Sequence, residues 1–454
     1  MSIQVAIATA SPEVSGPHRT HVNDLPPELL VTILMLSMGK KDALYDGFRA
    51  IDIVRCAPLD HRLSHVCRRW RTIILSRPGL WSVLPRTEGA PQWADLCLSR
   101  CAQSPIEFVV PWGARWDEPE CQQAIRSILP HLGRVRTLDL NFGRRNAYEG
   151  PNRSDNIAFV AHVARCLQQN PMALLEEVDM EFYWHEDSPP VYDVPHFSAE
   201  IFSQGPTPQL RILRLQACIV LPLRLAHTRH LRQLILVEVQ CWSNVDDLVR
   251  CLQATPCLEQ LVYHDYGTDD GNAFFDSTPS LVHRLRCVPL DRLALLRVEG
   301  SFNTIVSIFS YLAFPSSACV ATFGRDYEDE EQDQAAHFSM LTEALGRYFS
   351  AASTATDAFS TADVEYDSID AKSKPLEGGE INSARYFYLH LPLHVSDENT
   401  QHLFNLLDKC ASLPAFRHLK LSYSFRDCYP EYIVRFAEVK RLTKLRYPLH
   451  TVDS

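Results

Sequence analysis

The chain lacks the residue spacings that chemistry at a phosphate, an ester or a metal relies on. It has only 17 glycines in 454 residues, with no Gly-x-x-x-x-Gly-Lys-Ser/Thr loop, no Gly-x-Gly-x-x-Gly and no Gly-x-Ser-x-Gly. Phosphate-cradling loops and the nucleophile elbow of hydrolases are therefore not expected. His-Glu-x-x-His and Cys-x-x-Cys are also missing, which removes the commonest zinc spacings. No run approaches the roughly 18 apolar residues that span a bilayer. No Lys or Arg precedes Arg19, so a secretory signal is not expected either. Positive charge is in deficit, with 44 Lys and Arg against 55 Asp and Glu and a net charge of −11. That balance argues against nucleic acid as the main partner.

The 14 cysteines are scattered, and Cys166, Cys218, Cys251 and Cys410 lie in apolar segments, where cysteine behaves as a small hydrophobe. Reduced thiols of a cytoplasmic or nuclear protein fit this usage. Cys56, His61, His65 and Cys67 gather two thiols and two imidazoles, but Cys67 sits on an apolar stripe and no second half-site follows. No metal is expected there. Cys97 and Cys101 read as two buried positions on one helix, not a redox pair. The acidic run Tyr327-Glu328-Asp329-Glu330-Glu331 reads as a solvated loop, with an electrostatic docking strip as the alternative. No catalytic residue and no cofactor is expected.

A chain of this length exceeds what one growing core supports, so two domains are expected. Residues 1–21 read as a disordered leader. A helical module follows over 22–84. It opens at Asn23-Asp24-Leu25-Pro26-Pro27-Glu28, a helix start in which a capping oxygen and an early carboxylate satisfy orphan amides. Leu29, Leu30, Ile33 and Leu34 line one face. Ser37 to Pro58 is polar and expected to loop out. Leu63, Val66, Cys67, Trp70, Ile73 and Ile74 then resume a helical stripe, flanked by Arg68, Arg69 and Arg71, and Pro78 and Trp81 close the module. Residues 85–120 read as a linker or cap.

Over 121–449 a Leu-x-x-Leu-x-Leu pattern recurs. It appears at Val135/Leu138/Leu140, Leu175/Val178/Met180, Leu210/Leu213/Leu215 and Leu231/Leu234/Leu236, then at Leu258/Leu261/Tyr263, Leu293/Leu296/Val298, Tyr386/Leu389/Leu391 and Phe416/Leu419/Leu421. Each unit ends in the alternation of a strand with one buried face. Helical stripes lie between units, at Ile157–Leu167, Val245–Leu252, Ile305–Leu312 and Leu403–Cys410, with Asn244 and Asn303 as expected caps. Pro130, Pro171, Pro208, Pro256, Pro289 and Pro414 precede strand units and are expected to end helices. The long gap before Tyr386 is expected to hide irregular repeats near Ala318–Phe323 and Ala362–Ile369. Residues 450–454 form a tail. The fold class expected is an α/β repeat solenoid, a curved leucine-rich-repeat array with a parallel sheet on its concave face, behind a small all-α module. An ordinary α/β domain with βαβ crossovers is the alternative.

The run Leu25-Pro26-Pro27-Glu28-Leu29-Leu30, then Leu63-Ser64-His65-Val66-Cys67-Arg68-Arg69-Trp70-Arg71, then Pro78-Gly79-Leu80-Trp81, resembles an F-box. It looks most like the large fungal set in which the box precedes irregular leucine-rich repeats. The segments Leu96–Arg100 and Ser104–Phe108 also resemble that set. The resemblance implies the substrate-recognition subunit of an SCF ubiquitin ligase. Its box would bind a Skp-family adaptor, and through it a cullin, using Leu25, Pro26, Pro27, Leu29, Leu30, Ile33, Val66, Cys67, Trp70 and Trp81. Its repeats would bind a protein target. Positions between the strand apolars, expected to be exposed, are the target-binding candidates: Arg214, Ile235, Val262, Arg297 and Lys420. A repeat scaffold without ligase function is the competing reading, and a hydrolase or transferase with an unrecognised site is the third.

Overall fold

The computed structural model describes residues 24–46, 49–56, 61–84, 91–111, 114–143, 152–182, 196–198, 209–225, 228–265, 276–324, 335–353, 361–364, 368–372, 386–390 and 418–421. The expected leader and tail, the helix at Leu403–Cys410, Pro208, Pro414 and the acidic run at 327–331 lie outside these residues. The chain divides into two compact units, Met1–Val83 with Cys97–Ser104, and Leu84–Leu96 with Pro105–Ser454.

The N-terminal unit opens with helix α1 (Pro27–Met38). Pro27 suits a first helical position because the missing N–H has no intrahelical partner there, and Glu28 adds a favourable early carboxylate. Strands β1 (Gly39–Asp46) and β2 (Arg49–Cys56) pair antiparallel, so the expected loop from Ser37 to Pro58 is a hairpin instead. A 3-10 turn at His61–His65, helix α2 (Arg68–Ser76) and a second 3-10 turn at Pro78–Trp81 follow. The expected continuous stripe from Leu63 is thus broken at Val66 and Cys67. Cys67 is extended, with φ −158° and ψ 171°, and its Sγ accepts the Trp70 N–H as the cap of α2. Leu30, Leu34, Ile73, Ile74, Leu80 and Trp81 are buried. The Trp81 indole donates to the Ile74 carbonyl at 2.8 Å, and the Arg100 guanidinium lies 4.6 Å over its ring.

After the two-residue strand β3 (Val83–Leu84) and helix α3 (Pro91–Cys101), strands and helices alternate. Cys97 and Cys101 are buried on α3, as expected. The strands are β4 (Ile106–Val110), β5 (Val135–Asn141), β6 (Glu177–Glu181), β7 (His196–Ser198), β8 (Ile212–Leu221), β9 (Gln233–Gln240), β10 (Gln260–His264), β11 (Val288–Pro289), β12 (Leu295–Gly300), β13 (Leu312–Ala313) and β14 (Cys319–Gly324). The helices among and after them are α4 (Pro119–Ile128), α5 (Arg153–Gln169), α6 (Val245–Gln253), α7 (Phe302–Tyr311) and α8 (Ala335–Ser353), before β15 (Thr361–Val364), β16 (Ser368–Lys372), β17 (Tyr386–His390) and β18 (His418–Leu421). All eight expected strand units coincide with strands, and β14 fills the first expected irregular repeat.

The order β4-β5-β6-β8-β9-β10-β12-β14-β17 advances along the chain in one direction, every pairing parallel. β7 adds in parallel beside β8. Right-handed crossovers between strands that always advance the same way carry their helices to one face. Two rows of side chains run across the sheet in register. One is Leu138, Val178, Leu213, Leu234, Leu261, Leu296, Val320 and Phe387; the other is Leu140, Met180, Leu215, Leu236, Tyr263, Val298, Thr322 and Leu389. Every member is buried.

The backbone repeats as strictly as the leucines. Leu175, Leu231, Leu258, Leu293 and Ala318 each donate their N–H to the carbonyl three residues earlier. One residue on, the N–H groups of Glu176, Arg211, Arg232, Glu259, Ala294 and Cys319 donate to the carbonyls of Arg136, Glu176, Arg211, Arg232, Glu259 and Ala294 at 2.7 to 2.8 Å. Ala217 and Glu238, at matching places in β8 and β9, take left-handed φ angles of 52° and 56°. The shared kink shifts the alternation, and Cys218 and Val239 re-enter the core.

Several expectations are corrected. The 85–120 segment is no simple linker, since β4 belongs to the sheet and α4 begins at Pro119. β15 and β16 near Ala362–Ile369 form an antiparallel hairpin, not a parallel repeat; the three-residue connection 365–367 is too short for a crossover, which needs roughly a dozen residues. Asn244 does cap α6, its Oδ1 accepting the Asp247 N–H at 3.0 Å. Asn303 lies inside α7, which Ser301 caps through Thr304 N–H at 3.2 Å. Pro289 ends no helix but lies in β11, paired in parallel with β13.

Leu261→Ala, in the middle of a fully buried row, is expected to lower unfolding stability by ~2–5 kcal/mol. Asn244→Ala removes only a cap and is expected to cost ~1 kcal/mol. Denaturant titration of the two variants measures both.

Candidate functional site

In the N-terminal unit the apolar residues of α1 divide between two faces. Leu30 and Leu34 point into the core, whereas Leu29 and Ile33, four residues apart, remain 50% and 44% exposed. A surface helix normally has one apolar stripe, and a helix apolar on more than one side is normally covered on both. Pro26 and Pro27 are exposed beside Leu29, and Leu25 is half-buried. Arg69 donates from Nη2 to the Leu25 carbonyl, tying the start of α1 to the first turn of α2. Val66, 58% exposed, lies just ahead of that turn. Completing the burial of Leu29 and Ile33 would contribute ~1 kcal/mol each.

Of the ten expected adaptor-contact residues, Leu30 and Trp81 are core, and Cys67 is occupied as a helix cap. Trp70 is half-buried, with its indole nitrogen enclosed. Of the ten, Pro26, Pro27, Leu29, Ile33 and Val66 are exposed and Leu25 is half-buried. Register on α1 separates Leu29 and Ile33 from Leu30 and Leu34, a division that apolarity alone could not reveal.

In the sheet unit, four of the five candidates between the strand apolars, Arg214, Ile235, Val262 and Arg297, form one row that continues to Asp179. They were expected to be exposed, but Arg214, Ile235 and Val262 are buried and the Arg297 side chain is only 13% exposed. Neighbouring strands lie about 4.8 Å apart, so a mid-strand side chain is walled in by its row. Ile235 and Val262 are short side chains flanked in register by the two long arginines. Lys420 is in β18, and its side chain lies outside the described residues.

Charge is graded along this face. Glu107, Asp139, Asp179 and Glu181 lie toward β4–β6, with Arg136 2.8 Å from Glu107 and Arg214 3.7 Å from Asp179. Arg214 also donates to Gln233 Oε1 at 3.0 Å. Toward β12 and β14, Arg297 and His264 approach Glu299 at 3.7 and 3.9 Å. Arg297 lies 5.1 Å over the Phe323 ring, and Phe323 packs on Tyr388 at 5.3 Å. Burial raises the Glu177 carboxyl above its usual value, a rise that Arg214 opposes.

The thiols of the core are held protonated. Burial, then Glu118 and Asp117, push Cys121 to about 11. Burial pushes Cys251 to about 12 and also raises Cys218 and Cys241. They act as small hydrophobes, not as nucleophiles. Among the described residues no group of His, Cys, Asp and Glu is arranged to hold a metal, and no helix is long and apolar enough to cross a membrane.

The two most exposed large apolar side chains among the described residues escaped the sequence reading. Leu281 and Val282 stand out from the surface on a turn pinned at its base. Ser280 donates its N–H to the Tyr311 hydroxyl at 2.8 Å, and its Oγ accepts from the N–H groups of Val282 and His283. No periodicity marks this pair; only a serine before two apolar residues in a loop hints at it.

Comparison with protein-family models, curated proteins and solved structures finds no match to this chain.

A raised carboxyl makes the folded state bind its proton more tightly than the unfolded state does. Glu177 therefore favours folding at low pH and opposes it as pH rises through its raised value. Glu177→Gln is expected to raise the melting temperature near neutral pH and to leave it unchanged well below the ordinary carboxylate range. Thermal unfolding across pH checks this.

Proposed function

We propose that this protein is the substrate-recognition subunit of an SCF-type cullin-RING ubiquitin ligase. Its N-terminal unit acts as the F-box that docks a Skp-family adaptor, and its sheet unit acts as a curved leucine-rich-repeat solenoid that captures a protein target. It performs no chemistry itself. The observation that carries the reading is the second apolar face of α1. Leu29 and Ile33, with Pro26 and Pro27 just ahead of them in the chain, remain exposed on a helix that buries Leu30 and Leu34. A partner's apolar helices suit such a surface, since a module this small cannot cover all its own apolar residues. The order of motifs, Leu-Pro-Pro-Glu-Leu, Val-Cys-Arg-Arg-Trp and Pro-Gly-Leu-Trp, supports the same partner. For the sheet unit, support comes from strands that advance in one direction. Such a run has no topological switch point, where open α/β sheets usually bind small ligands; it offers instead a broad side-chain-lined face suited to a protein.

The hairpin β1–β2 favours a second reading. It follows α1 directly and enlarges the module, as a domain retained only to cap the repeats could tolerate. In that case the chain is a repeat scaffold without a ligase.

Co-purification of the full chain with a Skp-family adaptor decides between them. Leu29→Asp with Ile33→Asp is expected to abolish the complex while leaving the melting temperature within a few degrees of the parent. A complex that survives this pair, or no complex with the parent chain, removes the adaptor reading.

A further inference from the structure

One thiol of this chain is neither buried in the core nor tied up by its own helix. Gln209, His230, Cys257 and Arg292 each stand three residues before the mutually paired positions Ile212, Gln233, Gln260 and Leu295. All four line one cavity of 380 Å³, together with Arg211 and Arg232. Cys257 therefore has His230 in the unit on one side and Arg292 in the unit on the other, at a strand spacing of about 4.8 Å. Of the six lining residues Cys257 is half-buried, and the other five are exposed.

The other described cysteines have different surroundings. Cys67, Cys166, Cys257 and Cys287 are half-buried, and the rest are buried. Cys67 is occupied, its Sγ accepting the Trp70 N–H as a helix cap. Burial raises the Cys166 and Cys287 thiols above their ordinary value, so both are held protonated. Cys257 is a free thiol in a hollow of the size that small molecules enter.

The charge around that thiol restricts what suits it. Three guanidinium groups and an imidazole line the cavity on a chain whose net charge is −11. Arg232 has Glu259 at 3.4 Å, but no carboxylate lines the cavity among the described residues. A neutral oxidant such as hydrogen peroxide gains nothing from the arginines. A small disulfide that bears carboxylates gains twice. Guanidinium forks pair with its carboxylates, and nearby cations offset the negative charge that passes from sulfur to sulfur during thiol–disulfide exchange.

We propose that Cys257 is a site of reversible S-thiolation by a small carboxylate-bearing disulfide of the glutathione disulfide class, with Arg211, Arg232 and Arg292 holding its carboxylates. The Cys257 sulfur attacks as thiolate at one sulfur of the reagent. The protein–glutathione S–S bond forms as the original S–S bond breaks, and the departing sulfur leaves with the electron pair. It takes up the proton that Cys257 released, with the His230 imidazole as carrier. Cys257 is thereby oxidised to the mixed disulfide, and half of the reagent is reduced to free glutathione. A second thiol reverses the step by the same exchange. The proposal requires neither adaptor docking nor target capture.

The test incubates the reduced full chain with glutathione disulfide or with cystamine, a cationic disulfide, and follows the adduct at Cys257 by peptide mapping. Glutathione is expected to add at Cys257 at least ~10-fold faster than cystamine does, and dithiothreitol to remove it. Arg211→Gln with Arg232→Gln is expected to slow the glutathione reaction by at least ~10-fold, with the melting temperature retained because both side chains are exposed. If the double variant melts early, Arg292→Gln alone reads the same loss from a different unit. No adduct at Cys257, equal rates for the two disulfides, or arginine variants that react as the parent does, overturns the proposal.

Discussion

The sheet unit depends on one repeated closure. Each Leu-x-x-Leu-x-Leu segment buries its leucines beside the next segment, and the parallel ladders between strands fix where that next segment lies. The bond from Arg232 N–H to the Arg211 carbonyl and its counterparts at Glu259, Ala294 and Cys319 open each ladder in the same register. Once it is set, the two apolar rows align without further instruction. A slip of one residue would turn every leucine to the opposite face. No unit could keep its core alone, so the strands hold together as a series.

The same closure determines where function can reside. With strands advancing in one direction, the row that alternates with the leucines carries Asp179, Arg214, Ile235, Val262 and Arg297. That face is less open than its sequence suggests, because strand spacing walls in mid-row residues such as Val262. The edge differs. Residues ahead of each strand are not confined by a row on both sides, and Arg211, His230, Arg232 and Arg292 remain exposed there. Arg211, Arg232 and Arg292, from different units, line one cavity there.

The N-terminal unit poses the opposite problem. Among its described residues Leu30, Leu34, Ile73, Ile74, Leu80 and Trp81 form the core, and α1 also carries exposed Leu29 and Ile33. Trp81 and Leu30 fill the interior, with the indole N–H satisfied by Ile74. Leu29 and Ile33 are then left without an interior to enter.

Much of this architecture was legible in the sequence, and the reason is periodicity. Eight Leu-x-x-Leu-x-Leu units marked eight strands, and Asn244 marked a helix start, because alternation and capping act within a few residues. Signals failed where a longer-range choice intervened. The stripe from Leu63 to Ile74 looked like one helix, but Cys67 adopts an extended backbone and starts α2 anew. Ser37 to Pro58 looked like a loop, but its two halves pair with each other. The segment near Ala362 looked like a repeat, but its short connection makes it a hairpin. Arg214, Ile235 and Val262 looked exposed from alternation, which tells one face from the other and says nothing of how crowded a face is. The sequence by itself determined where eight strands lie and which of their side chains enter the core. Only the tertiary structure decided which apolar residues of α1 stay open, which row is buried and which arginines meet at an edge, because exposure and charge convergence depend on neighbours far apart in the chain.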